Sequence, residues 1–131
     1  MASAATLFGK AAANYKSARL LLEHADGDEE QLNFAGYHLQ QAVELAMKYL
    51  LEQDGVEYPK THDIDQLIRI ASENDVDLHL SEYIEDHAEM LSTWEAKARY
   101  IVGYAIETKK LDRALKEVDK YLTAVAKAER G

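Results

Sequence analysis

The sequence predicts an all-α fold, an up-and-down bundle of four to five helices. Three observations carry that expectation. Apolar residues recur at three- and four-residue steps through most of the chain, and no segment alternates with period two for long. One Pro and six Gly interrupt a background rich in Ala, Leu, Glu and Lys. At 131 residues the chain fits one domain, 1–131, long enough to bury a core.

The first helix is expected from about Thr6 to Ala25, with Leu7, Ala11, Tyr15, Ala18, Leu22 and Ala25 as its apolar stripe. Asp26-Gly27-Asp28 ends it, with Gly27 as a left-handed cap. The second helix is expected over 30–53, preceded by acidic residues that suit a helix start. Its core face is Leu32, Ala35, Leu39, Ala42, Val43, Ala46 and Leu50. A neighbouring stripe holds Tyr37, Gln41, Glu44 and Lys48. Glu44 and Lys48 stand at i and i+4, an arrangement worth about 0.3–0.5 kcal/mol when exposed. Spacing alone favours a solvated ion pair there over a strip that faces a partner or ligand.

Asp54-Gly55 stops the second helix, and Tyr58-Pro59 makes an extended corner. Thr61 is the expected N-cap of a third helix bearing Ile64, Leu67, Ile68 and Ala71. His62 fits a hydrogen bond that pins the loop; a ligand-contacting imidazole is the alternative. Val76, Leu78 and Leu80 form a short extended link, and Ser81 caps a fourth helix. Its apolar side runs through Leu80, Tyr83, Ile84, Ala88, Leu91, Trp94 and Ala98. A fifth helix, about 108–128, carries Leu111, Leu115, Val118, Leu122 and Val125 inward, and Lys109, Lys110, Arg113, Lys116 and Lys120 outward.

The absence of Cys excludes disulfides and thiolate metal sites and fits a cytoplasmic protein. The N-terminal residues carry no basic start and no long apolar run, so no secretory signal is expected. No stretch approaches the roughly 20 apolar residues of a membrane span. The net charge of −9 disfavours loose binding to nucleic acid over the whole surface. The charge is uneven: residues 1–96 hold 6 Lys/Arg against 19 Asp/Glu, and residues 97–131 hold 9 against 5. An acidic surface with a Lys-rich last helix is the plain reading. A local anion site in the C-terminal third, or two patches that match across a symmetric interface, is the functional one.

No phosphate loop, nucleophile elbow or zinc-helix motif occurs. The five His are scattered, so neither a metal site nor a cofactor is expected, and no carboxylate pair stands out. Arg99 is singled out by chemistry. Flanked by Trp94 and Tyr100, it suits holding a phosphate or a stacked base. An arginine that snorkels, or pairs with an acid of the second helix, is the equal alternative.

Three segments carry a family resemblance: AGYHLQQAVELAMKYLL at 35–51, Pro59-Lys60-Thr61-His62-Asp63-Ile64 with Leu67, and Arg99-Tyr100. In this order and at these separations they resemble the HEPN domain, named for higher eukaryotes and prokaryotes nucleotide-binding. The resemblance implies a helical bundle that commonly forms a homodimer. It also implies work beside a small nucleotidyltransferase, often as half of a toxin–antitoxin pair, with a nucleotide or RNA as ligand. Arg99 would contact phosphate, with Tyr100, His62, Lys48 and Glu44 in the same groove. One branch of the family consists of metal-independent ribonucleases whose signature is Arg, four to six residues, then His. Counting from Arg99, the positions for that His hold Tyr104, Ala105 and Ile106, and no His follows His87. A phenol titrates near ~10 and is a poor general base at neutral pH. The expectation is therefore a non-catalytic nucleotide-binding or partner module. The alternatives are a ribonuclease that recruits His62 or His38, and a purely structural dimer. The family's frequent Pro after Arg-Tyr is replaced by Ile101, which would let the fourth helix run on.

Overall fold

The structure, a computed structural model, describes residues 6–130, and of Arg130 the backbone alone. The expected domain, 1–131, extends at both ends to residues outside this range. Among the described residues there are six helices and no strand. They are α1 (Leu7–His24), α2 (Glu29–Gln53), α3 (Ile64–Glu73), α4 (Glu82–Asp86), α5 (Ala88–Ala98) and α6 (Thr108–Arg130).

The central rod is α2, and it packs against α1, α3, α5 and α6. All seven residues of its expected core face are buried. Asp28 caps it by accepting from the N–H groups of Glu30 and Gln31. The acidic pair Glu29-Glu30 thus lies inside the first turn, where the exposed N–H groups and the helix dipole favour negative charge. At the turn before it, both Asp26 and Gly27 adopt positive φ, 47° and 81°. Gly36 lies where α2 meets α5. A Cβ there would overlap Ile106 Cδ1, the end of a flexible side chain, and sit 3.3 Å from Trp94 Cε3, so any side chain at this position requires Ile106 to move and Trp94 to give way slightly.

Three expectations about boundaries are corrected. Thr61 is not the cap of α3. Asp63 accepts from the N–H groups of Asp65 and Gln66, while Thr61 Oγ1 accepts from Asp63 N–H one step earlier. A third donor at this start, Ile64 N–H, bonds Ser92 Oγ of α5 at 3.0 Å. The expected fourth helix is two helices. His87 leaves the helical region with φ −114° and ψ 16°, and its ring Nδ1 lies 2.9 Å from the Tyr83 carbonyl oxygen. That bond competes for a carbonyl of the helical ladder and bends the rod. Nor does α5 run on past Arg99. It ends at Ala98, and Ile101 N–H turns back to Lys97 O before Gly103 takes φ 84°.

On α6, Leu111, Val118, Leu122 and Val125 are buried as the periodicity predicts, and Leu115 packs against the core from a half-buried position. Tyr121 is also buried, and its hydroxyl donates to Leu78 O at 2.8 Å across 43 residues of chain. Burial holds its phenol well above the usual range, so it stays a neutral donor. This bond fixes the link 76–81 onto α6; the link is irregular and not the extended segment expected, since His79 takes φ 55°. Tyr121→Phe leaves the buried Leu78 carbonyl without its donor. It is expected to lower stability by about 1–2 kcal/mol in urea unfolding, with an unchanged helical circular-dichroism spectrum.

Candidate functional site

Glu44 faces inward from α2 and is 2 % exposed. The exposed Glu44–Lys48 pair favoured by spacing is therefore corrected: this is a nearly dry polar cluster. Lys48 Nζ donates to Glu44 Oε2 and to Thr61 O, each at 2.9 Å. Gln40, fully buried, donates through Nε2 to Glu44 Oε1 (2.9 Å) and His62 O (3.0 Å), while its own Oε1 accepts from Gln41 at 2.7 Å. His62 Nδ1 lies 2.9 Å from Glu44 Oε1. A carboxylate only accepts, so the proton sits on Nδ1. Motif residues 13 to 22 positions apart in sequence thus fasten the loop after Pro59 onto α2. The expectation that His62 pins the loop holds, yet its ring remains more than half exposed.

The cluster continues to α5. His62 Nε2 lies 4.0 Å from Glu95 Oε1, and the same oxygen accepts from Arg99 Nη2. Glu95 is 5 % exposed. Sequence reasoning missed it, although its spacing to Arg99 is the ordinary i, i+4 pair of a helix. The acid that meets Arg99 therefore comes from its own helix, not from the second helix. The guanidinium carbon stands 5.0 Å from the Tyr37 ring centroid and 4.7 Å from that of Tyr100. Cation–π attraction and one carboxylate hold the group in place and leave a third of the side chain open.

Beside Arg99 lies a groove of about 510 Å³, lined by Glu29, Glu30, Asn33, Phe34 and residues 98–104. Phe34, Tyr100, Ile101 and Val102 expose apolar surface around it. Asn33 Nδ2 donates to Tyr104 O at 2.6 Å and ties the loop down, while its buried Oδ1 has no partner among the described residues. Nothing in the sequence pattern marked Asn33. Of the five residues expected to share a groove, Arg99 and Tyr100 line it; Glu44, Lys48 and His62 lie outside its lining and connect to Arg99 through Glu95. His38, the other imidazole considered, has Nδ1 2.7 Å from Asn14 Oδ1, and its ring meets edge-on that of Tyr37, the same tyrosine that holds Arg99, with centroids 5.3 Å apart. Burial pushes its pKa down. Among the described residues, no group of three or more His, Asp or Glu side chains is placed to hold a metal ion, and no helix is long and apolar enough to cross a membrane.

A family model, HEPN domain, matches residues 4–128, nearly the whole chain. The chain belongs to the HEPN family. No curated relative and no solved structure matches it significantly. In HEPN terms, the Gln-Gln-Ala-x-Glu-x-x-x-Lys helix and the Thr-His-Asp loop of this chain are two halves of one cluster. Gln40, Glu44 and Lys48 supply one side; Thr61 and His62 supply the other.

Removing one member of a buried, hydrogen-bonded charge pair leaves the other uncompensated. Glu44→Ala is expected to destabilise the fold by about 3 kcal/mol in urea unfolding. Glu44→Gln, which keeps the packing and one acceptor oxygen, either for Gln40 or for Lys48, should lose clearly less. Equal losses would mean that the charge, which both variants lack, and not the packing, which Gln keeps, is what the position supplies.

Proposed function

We propose that this HEPN domain is a non-catalytic nucleotide-binding and partner module in the cytoplasm. On this reading it forms a homodimer and works beside a small nucleotidyltransferase, in a system of the toxin–antitoxin type. The observation that carries the proposal is the Arg99 guanidinium, fixed between Tyr37 and Tyr100 at the mouth of the groove and anchored from behind by buried Glu95. A planar cation held in this way keeps donors for a phosphate at low conformational cost, and the neighbouring rings offer faces to a base. Tyr100 flanks the phosphate position. His62, Lys48 and Glu44 set the position of Glu95 and Arg99. No imidazole stands at 104–106 to complete the ribonuclease signature.

One observation favours a second reading. His62 carries its proton toward Glu44 and turns Nε2 toward the oxygen that Arg99 also contacts. A carboxylate-oriented imidazole beside an arginine is an acid–base arrangement suited to phosphodiester cleavage. On that reading His62 replaces the His missing after Arg99.

Calorimetric titration with ATP and other nucleotides tests the first reading. Binding heat is expected in the parent chain and at least a tenfold weaker association in Arg99→Ala. A silent titration in both would leave a purely structural dimer. Metal-independent cleavage of tRNA or mRNA that disappears in both Arg99→Ala and His62→Ala would establish the second reading instead. Co-purification with the nucleotidyltransferase encoded beside it tests the partner; consistent failure to associate would reject that part of the proposal.

A further inference from the structure

A second concavity, of about 400 Å³, lies away from Arg99 where the break between α4 and α5 faces the start of α6. Its lining is Tyr83, His87, Met90, Lys109, Lys110 and Arg113. It contains three cations and one imidazole but no carboxylate, in a chain of net charge −9. The Arg99 groove, by contrast, includes Glu29 and Glu30.

The cationic groups are partly preorganised. Glu117 engages Arg113 through Nε at 3.3 Å, and the guanidinium carbon stands 5.2 Å over the Tyr83 ring. Its two terminal nitrogens have no partner among the described residues. Tyr83 is in turn stacked on His87, with centroids 4.1 Å apart and planes 20° from parallel. The His87 Nδ1 bond to Tyr83 O orients that ring and leaves Nε2 without a partner among the described residues. Lys110 has only a long contact to Glu107, 3.8 Å, and Lys109 has no acidic partner among the described residues. The first turn of the 23-residue α6 bears no acidic residue, so the positive end of its dipole adds to the same field.

We infer that this concavity is an anion site for a ligand with more than one phosphoryl group, held by Lys109, Lys110 and Arg113 with His87 at its wall. The chemistry is shared by a nucleoside polyphosphate and by the backbone of a single RNA strand. The site does not depend on Arg99 and stands or falls independently of the function proposed above.

The test is a titration of the full chain with tripolyphosphate at low ionic strength, followed by amide chemical shifts. Shifts are expected at His87, Lys109, Lys110 and Arg113. Lys109→Glu/Lys110→Glu changes only exposed side chains and should weaken binding at least tenfold, while Arg99→Ala changes it less than twofold. Two further arms use ATP and a short single-stranded RNA. Both should lose affinity in the double variant, and a steeper salt dependence for RNA would identify a strand backbone as the ligand. Shifts confined to the Arg99 groove, unchanged affinity in the folded double variant, or no binding at millimolar tripolyphosphate would each overturn the inference.

Discussion

The structure depends on a carboxylate that has been taken out of water. An isolated ionised group at that depth would carry a desolvation penalty of several kcal/mol. Glu44 offsets it with a lysine, a glutamine and an imidazole, all within 2.9 Å. These donors come from two parts of the chain, so satisfying the charge requires that the loop after Pro59 close onto α2. Closure sets Asp63 as the start of α3, and α5 supplies Ser92 to the same turn. Through His62 the constraint reaches Glu95, and through Glu95 it reaches Arg99. The polar residues of these two segments are therefore a joint between α2 and the loop, and the groove is linked to it through Arg99.

Much of the architecture was legible because burial follows periodicity. The face of α2 from Leu32 to Leu50 and the seam of α6 could be read directly from three- and four-residue steps. What could not be read were contacts that depend on where a second segment lands. Glu44 and Lys48 have the spacing of an ordinary surface pair; only the arrival of Thr61 and His62 makes their position an inside one. The bend at His87 is set by a side chain that bonds its own helix, which apolar spacing does not register. Tyr121 is an inward tyrosine whose partner is a carbonyl in an irregular link, invisible to any pattern of side chains.

The candidate site followed the same division. Arg99 and Tyr100 could be picked out because a cation among aromatics is unusual, and the distances to Tyr37 and Tyr100 agree with that chemistry. Glu95 was hidden by being commonplace: a glutamate one turn before an arginine is found on countless solvated helices. Asn33 was hidden for the opposite reason, since its role lies in one backbone carbonyl 71 residues away. The uneven charge of the chain also acquires a location. The positive excess of the last third is concentrated in part at Lys109, Lys110 and Arg113, beside a hollow that has no negative side chain in its wall.

Gly36 gives the close fit of α2 to α5 a consequence at a distance. Trp94 rests on its bare backbone, and Glu95 and Arg99 follow on the same helix within the next turn and a half. A side chain at 36 would press on Ile106 and Trp94, and any shift of Trp94 would pass along α5 to Glu95 and to Arg99 in its tyrosine cradle at the helix end, although residue 36 touches no part of that cradle's chemistry. A position with no functional atoms of its own governs the alignment of those that have them.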